Sequence, residues 1–135
     1  MPASAADPAK APGLGLAVAA ESLFLVNLMA APGVAFAVLG VLWLRHRHSA
    51  PALARCHLDQ AFFVSLWGGL AIVVLSAALL YFGGLDWEWT WVAVILYFTC
   101  IHSTLILLGM VALVKAMGGQ AWRFPVIGPK LDGQP

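Results

Sequence analysis

Apolar positions along this chain gather into three long blocks, residues 23–44, 61–82 and 89–114. The short segments between them hold most of the turn-forming and charged residues. Each block reaches the roughly 20 apolar residues that a helix needs to cross about 30 Å of hydrocarbon. The pattern predicts an all-α fold, an integral membrane bundle of three transmembrane helices. Residues 1–13, rich in Pro and Ala, read as a disordered tail. Residues 14–128 form the membrane domain and 129–135 a second tail. Residues 14–20, with Ala17-Val18-Ala19, resemble the core and cleavage site of a signal peptide. Lys10, offset by Asp7, makes too weak a positive region for one, so this stretch is expected to be retained.

Within the first block, Pro32-Gly33 predicts a kink, because proline removes a backbone donor and clashes with the preceding turn. The alternative is a separate surface helix over 14–31, with the span beginning near Pro32. Glu21 reads as interfacial on the outer half. Pro51 suits the first turn of a short interfacial helix over 52–60 that runs into the second span. Trp87, Trp89 and Trp91 form an aromatic belt at one boundary, and Trp43 marks the other. Small residues show where helices meet: Ala61, Ser65 and Gly69 on the second span, Gly33 and Ala37 on the first, and Gly109, Ala112 and Ala116 on the third.

Composition sharpens this picture. With 62% hydrophobic and 10% charged residues, the chain is far from the roughly 25% charged residues of globular proteins. Most basic residues flank one side of the spans: Arg45, Arg47 and Arg55 in the first loop, and Lys115, Arg123 and Lys130 after the third span. The second loop carries Asp86 and Glu88 instead. Positive residues stay cytoplasmic, which predicts the N-terminus outside and the C-terminus in the cytoplasm, in a bacterial inner membrane. Cys56 and Cys100 lie at depths differing by roughly 20 Å along a helix, beyond the reach of a disulfide.

Candidate chemistry is sparse. His102 sits mid-span among Thr99, Cys100, Ser103 and Thr104, and ionisable residues at such depth are functional candidates. A structural interhelical bond is the favoured role, with haem b ligation and proton or ion handling as the alternatives; no cofactor is expected. His57, at the inner mouth of the second span, lies roughly 20 Å from His102 in depth, so the two cannot grip one haem within a single copy. His46, His48, Cys56, His57 and Asp59 have residue types that bind transition metals. Arg45, Arg47 and Arg55 oppose a cation there and read better as contacts to anionic lipid headgroups. No nucleophile elbow, P-loop or dinucleotide fingerprint occurs, and no paired carboxylates enter a span. Neither enzymatic activity nor a nucleic-acid partner is expected.

Two motifs frame the inner side. Arg55-Cys56-His57-Leu58-Asp59-Gln60-Ala61 opens the second span. Lys115-Ala116-Met117-Gly118-Gly119-Gln120-Ala121-Trp122-Arg123-Phe124-Pro125-Val126-Ile127-Gly128 follows the third. Together they resemble the Tic-twenty-like group of small bacterial membrane proteins. That group shows a His-x-x-Gln-Ala start to a span and a Gly-rich turn leading to an Arg/Tyr-x-Pro-x-Ile-Gly tail. The likeness covers residues 29–128 and draws attention to His57, Gln60, Arg123, Pro125 and Gly128. The group's plastid import relatives have four spans rather than three, so the resemblance implies the membrane fold more than a translocation channel. His57 and Gln60 share a helix face at i and i+3, which predicts a clasp on the backbone of residues 124–128. The expected function is a small non-catalytic membrane subunit or assembly factor, docking other membrane subunits or itself through faces such as Ser65 and Gly69. An oligomeric translocation component and a haem-binding electron-transfer subunit using His102 are the alternatives.

Overall fold

The computed structural model describes residues 7–131, which are helical without strands. Four helices follow one another: α1 (Leu14–Met29), α2 (Val34–His46), α3 (Ala52–Gly83) and α4 (Glu88–Met117). A 3-10 turn at Pro8–Lys10, capped by the Asp7 side chain, precedes them.

The first apolar block is not one kinked span. After Met29 the chain leaves the helix, and Gly33, at φ 83°, takes a backbone conformation that side chains beyond glycine resist. Pro32 can offer no donor at the break. The Asn27 side chain accepts the Gly33 N–H at 3.0 Å, satisfying one donor at the start of α2. Proline, left-handed glycine and side-chain cap together turn a kink into a reversal. With 16 and 13 residues, α1 and α2 are about 24 and 20 Å long, short of a full hydrocarbon crossing.

Both ends of this hairpin meet the start of α3. Gly13 packs so tightly there that a Cβ would sit 2.9 Å from Ala54 Cβ. At the other end, Trp43 Nε1 donates to Asp59 Oδ1 at 2.7 Å. Residues 8–13 also lie against Gly119. They therefore share an end of the bundle with the first loop and the C-terminal segment. Three full spans would have placed them at the opposite end, beside Asp86.

Among the described residues, two helices are long and apolar enough to cross a membrane, α3 and α4. The N-terminal half of α3 and the C-terminal half of α4 form the body of the protein with the hairpin. Phe24, Leu39, Leu58, Ala61, Val64, Ala112 and Phe124 are fully enclosed, and Phe24 meets Phe124 edge-on at 5.2 Å. Small residues make the close approach of α1 possible: Gly109 admits Phe24 and Leu25, and Ala112 and Ala116 line the same buried face of α4. From α2, Trp43 and Phe36 each stack parallel to the Phe62 ring, at 4.5 and 5.5 Å between centroids.

Beyond this body the architecture thins. The buried residues of α3 end at Gly68. On α4 they begin at Leu105, apart from Thr90 at the far loop. The outer halves hold one another through a Tyr97 hydroxyl that donates to the Ala71 carbonyl at 2.9 Å and through Gly83 packed on Thr90.

Candidate functional site

Three buried polar side chains, Glu21, His57 and Gln60, gather where α1 and the segment after α4 pack on the first turns of α3. His57 and Gln60, one turn apart on α3, face the hairpin on one side and the segment after α4 on the other. That segment begins with a glycine-driven stop. Gly119 adopts φ 66°, and Gln120 N–H returns to the Lys115 carbonyl at 2.9 Å, closing the last turn of α4. The chain then passes across α3, aiming the Gln120 carbonyl at His57 Nε2, 2.9 Å away.

A carbonyl oxygen only accepts, so Nε2 carries a hydrogen. The other ring nitrogen, Nδ1, lies 2.7 Å from Glu21 Oε1, with both side chains fully enclosed. One proton occupies that gap. Imidazolium with carboxylate and imidazole with carboxylic acid are both neutral overall, so the pair places no net charge in the core. Glu21 Oε2 is buried without a hydrogen-bond partner among the described residues, a position that favours the uncharged acid. Glu21 lies outside both spanning helices. Burial pushes its carboxyl above the ordinary 4.5, against the pull of the hydrogen bond and charge of His57.

Gln60 uses both ends of its amide. Its Oε1 accepts the Phe124 N–H at 3.0 Å, and its Nε2 donates to the Pro129 carbonyl at 2.7 Å. This opposed pair fixes which amide atom is oxygen. Arg123 Nε donates to the Gly128 carbonyl at 2.9 Å, and Gly128 N–H returns to Phe124 O, rounding the segment into a tight loop. A Cβ on Gly128 would run into Gln60 Oε1 and the Phe124 backbone, so glycine is required by contact. Pro125 stands exposed on the outside of the loop.

The remaining residues singled out from sequence are scattered. Ser65 is buried on the α3 face with no hydrogen-bond partner for its hydroxyl among the described residues, whereas Gly69 faces open space. His102 is half-buried and stacks on Phe98, one turn earlier, at 5.1 Å. Arg45 is exposed, Arg47 lies over the Trp43 ring at 4.9 Å, and Arg55 is half-buried beside the first turn of α3. Among the described residues no three His, Cys, Asp or Glu side chains converge as a metal site.

Glu21 was not expected here, since sequence reading placed it at an interface on the far side. Its signal was local: Ala17, Ala20 and Phe24 fall on the same helical face and are all enclosed. An acid on the most tightly packed stripe of a helix needs a partner, and His57 supplies it. Compared with known protein families, curated proteins and solved structures, the chain matches none.

Proposed function

We propose that the chain is a non-catalytic, multi-pass subunit of a bacterial inner membrane complex. In this reading α3 and α4 span the bilayer. The α1–α2 hairpin enters from the cytoplasmic side and returns, and residues 8–13, the first loop and the C-terminal segment all lie in the cytoplasm. The placement of Arg45, Arg47, Arg55, Lys115, Arg123 and Lys130 at that one end supports the orientation. The length and apolar composition of α3 and α4 support the membrane class.

The observation that carries the functional reading is where burial stops. Beyond Gly68 on α3 and before Leu105 on α4, two helices stand where four stood below. The surface there is apolar, with Val73 and Ile95 exposed by 67% and 60%. Small residues such as Gly69 and Ala77 lie open between the large ones. Helices associate in lipid by close backbone approach at such residues, so the occupant proposed is an apolar transmembrane helix of another subunit. The buried polar atoms of the inner body are spent mostly on holding the hairpin and tail, consistent with a scaffold.

Photo-crosslinking in native membranes tests this, with the probe at Val73 or Ile95 and a control at Leu44 on the hairpin. Discrete protein adducts from the two outer positions, and none from Leu44, are expected. Adducts to lipid alone from all three positions, with the protein purifying as a monomer, would overturn the proposal.

A further inference from the structure

At the cytoplasmic end of α3 a cavity of about 430 Å³ opens beside the helix start. Arg47, Arg55 and Lys130 line it, with Asp59 the one carboxylate in its wall among the described residues. Three cations against one acid leave a surplus of two positive charges. That acid is already engaged, because Asp59 Oδ1 accepts the Trp43 indole N–H at 2.7 Å. The same Trp43 ring lies 4.9 Å from the exposed Arg47 guanidinium, a cation–π contact that favours this position of the charge.

Two further observations point to an anion. Arg55 Nε is buried and has no acceptor among the described residues. Ala52 and Leu53, which also line the cavity, belong to the first turn of a 32-residue helix whose N-terminus has no side-chain cap. Their backbone N–H groups precede the first intrahelical donor, so the positive end of the helix dipole faces the same space. Orphan guanidinium donor, uncapped helix start and convergent cations all lack the same thing, an oxyanion with several acceptor oxygens.

We infer that this cavity is a binding site for a phosphate group. Arg55 lies six residues before the apolar run of α3 begins at Ala61, about 9 Å along the helix. That places the cavity where headgroup phosphates of anionic lipids reside, while its open mouth also admits phosphate from solution. Arg45, exposed in the last turn of α2, does not line it. The site therefore differs from diffuse attraction between a basic loop and an acidic membrane, and it is independent of any partner helix in the outer half.

The test uses the full chain, delipidated in detergent. Native mass spectrometry would follow retention of phosphatidylglycerol, with phosphatidylcholine of the same acyl chains as the zwitterionic control. Thermal denaturation would be measured in inorganic phosphate and in chloride at matched ionic strength. Wild type is expected to retain one phosphatidylglycerol in preference to phosphatidylcholine. Arg55→Gln and Lys130→Gln should each weaken retention by about tenfold, and Arg45→Gln should leave it unchanged. A rise in melting temperature with inorganic phosphate, lost in Lys130→Gln and without lipid preference, would assign the site to free phosphate. Equal losses in Arg45→Gln and Lys130→Gln would show delocalised surface charge and overturn the site. So would binding of neither probe. Lys130 is exposed, so its variant keeps the test readable should Arg55→Gln fail to fold.

Discussion

Glu21 Oε1 lies 2.7 Å from His57 Nδ1, inside a region of the bundle closed to solvent, and this contact joins α1 to α3. A lone carboxylate there would carry a heavy desolvation cost. A lone histidine would leave a ring nitrogen unpaired. Sharing one proton removes both problems, and the Gln120 carbonyl on Nε2 sets which proton is shared. The pair thus holds three parts of the chain together: the hairpin, the spanning helix and the segment after α4.

Removing one member should cost more than neutralising it. Glu21→Gln keeps an amide donor for Nδ1 and should fold with a small loss. Glu21→Ala strands the imidazole and should cost about 3 kcal/mol or more. Denaturation of the purified protein in detergent, followed by tryptophan fluorescence, measures both. Similar losses in the two variants would mean that shape, not the shared proton, holds α1.

The same pair gives a pH signature. Burial raises the Glu21 carboxyl above 4.5, so the folded protein binds this proton more tightly than the unfolded chain. The resulting stabilisation is complete below the unfolded value and is lost as pH rises from 4.5 through the raised folded value. The denaturation midpoint should therefore contain a component that falls across that window. Glu21→Gln cannot titrate and should lack it. An identical pH profile in wild type and variant would place the titration elsewhere.

Gln60 and Gly128 should behave as one unit. Gln60→Leu leaves the Phe124 N–H and the Pro129 carbonyl without their partner, at about 1–3 kcal/mol for each group that stays dry. Gly128→Ala pushes a methyl into the same amide. Either change should free the tail and speed tryptic cleavage at Arg123 and Lys130 while circular dichroism shows the helices intact. Unchanged cleavage in both variants would make the amide bridge dispensable.

Legibility differed by element for physical reasons. The helices α3 and α4 follow from long apolar runs, and the gathering of basic residues at one of their ends follows from where those residues fall between and after the runs. The hairpin was hidden because Pro32-Gly33 within an apolar run is equally compatible with a kink or a reversal. The backbone sign at Gly33 and the contact between Glu21 and a residue 36 positions away separate the two outcomes, and neither is a local property. The motif resemblance and their shared face pair His57 and Gln60 with residues 124–128; Gln60 meets Phe124 there, whereas His57 bonds Gln120 ahead of that segment. The particular acceptor on Gln120 depended on the Gly119 turn, and the acid on the other side belonged to a helix expected elsewhere. Trp43 read as an interfacial anchor because its bond to Asp59 crosses between two helices whose register sequence alone does not supply.

That bond makes a separable prediction about α2. Trp43→Phe preserves an aromatic ring to stack on Phe62 but deletes the donor to Asp59. A hydrogen bond to a charged acceptor contributes about 1.5–3 kcal/mol. Asp59→Ala removes the acceptor instead, and the double variant should lose little beyond Trp43→Phe alone. A double-mutant cycle in denaturation midpoints reads the coupling directly. Strict additivity would show that stacking on Phe62 is sufficient to hold the hairpin.

Three glycines to alanine, the same chemical change in three surroundings, should separate packing from propensity. At Gly109 the new methyl would stand 2.6 Å from Phe24 Cε1 and 2.8 Å from Leu25 Cδ2, and the Phe24 ring is itself enclosed and braced by Phe124. The Phe24 ring has no room to retreat, so α1 must shift, at about 1–3 kcal/mol. At Gly68 the nearest atom is Leu105 Cδ1 at 2.9 Å, the end of a flexible side chain, and the cost should be smaller. At Gly69 nothing lies within 4 Å, so the isolated protein should gain slightly from better helix propensity. Melting temperatures in detergent should therefore rank Gly69→Ala above Gly68→Ala above Gly109→Ala. In native membranes the order should change only for Gly69→Ala, because a partner helix seated on that face would meet the added methyl. Undiminished crosslinking of Gly69→Ala at Val73 would mean that the outer face makes no close contact at this glycine.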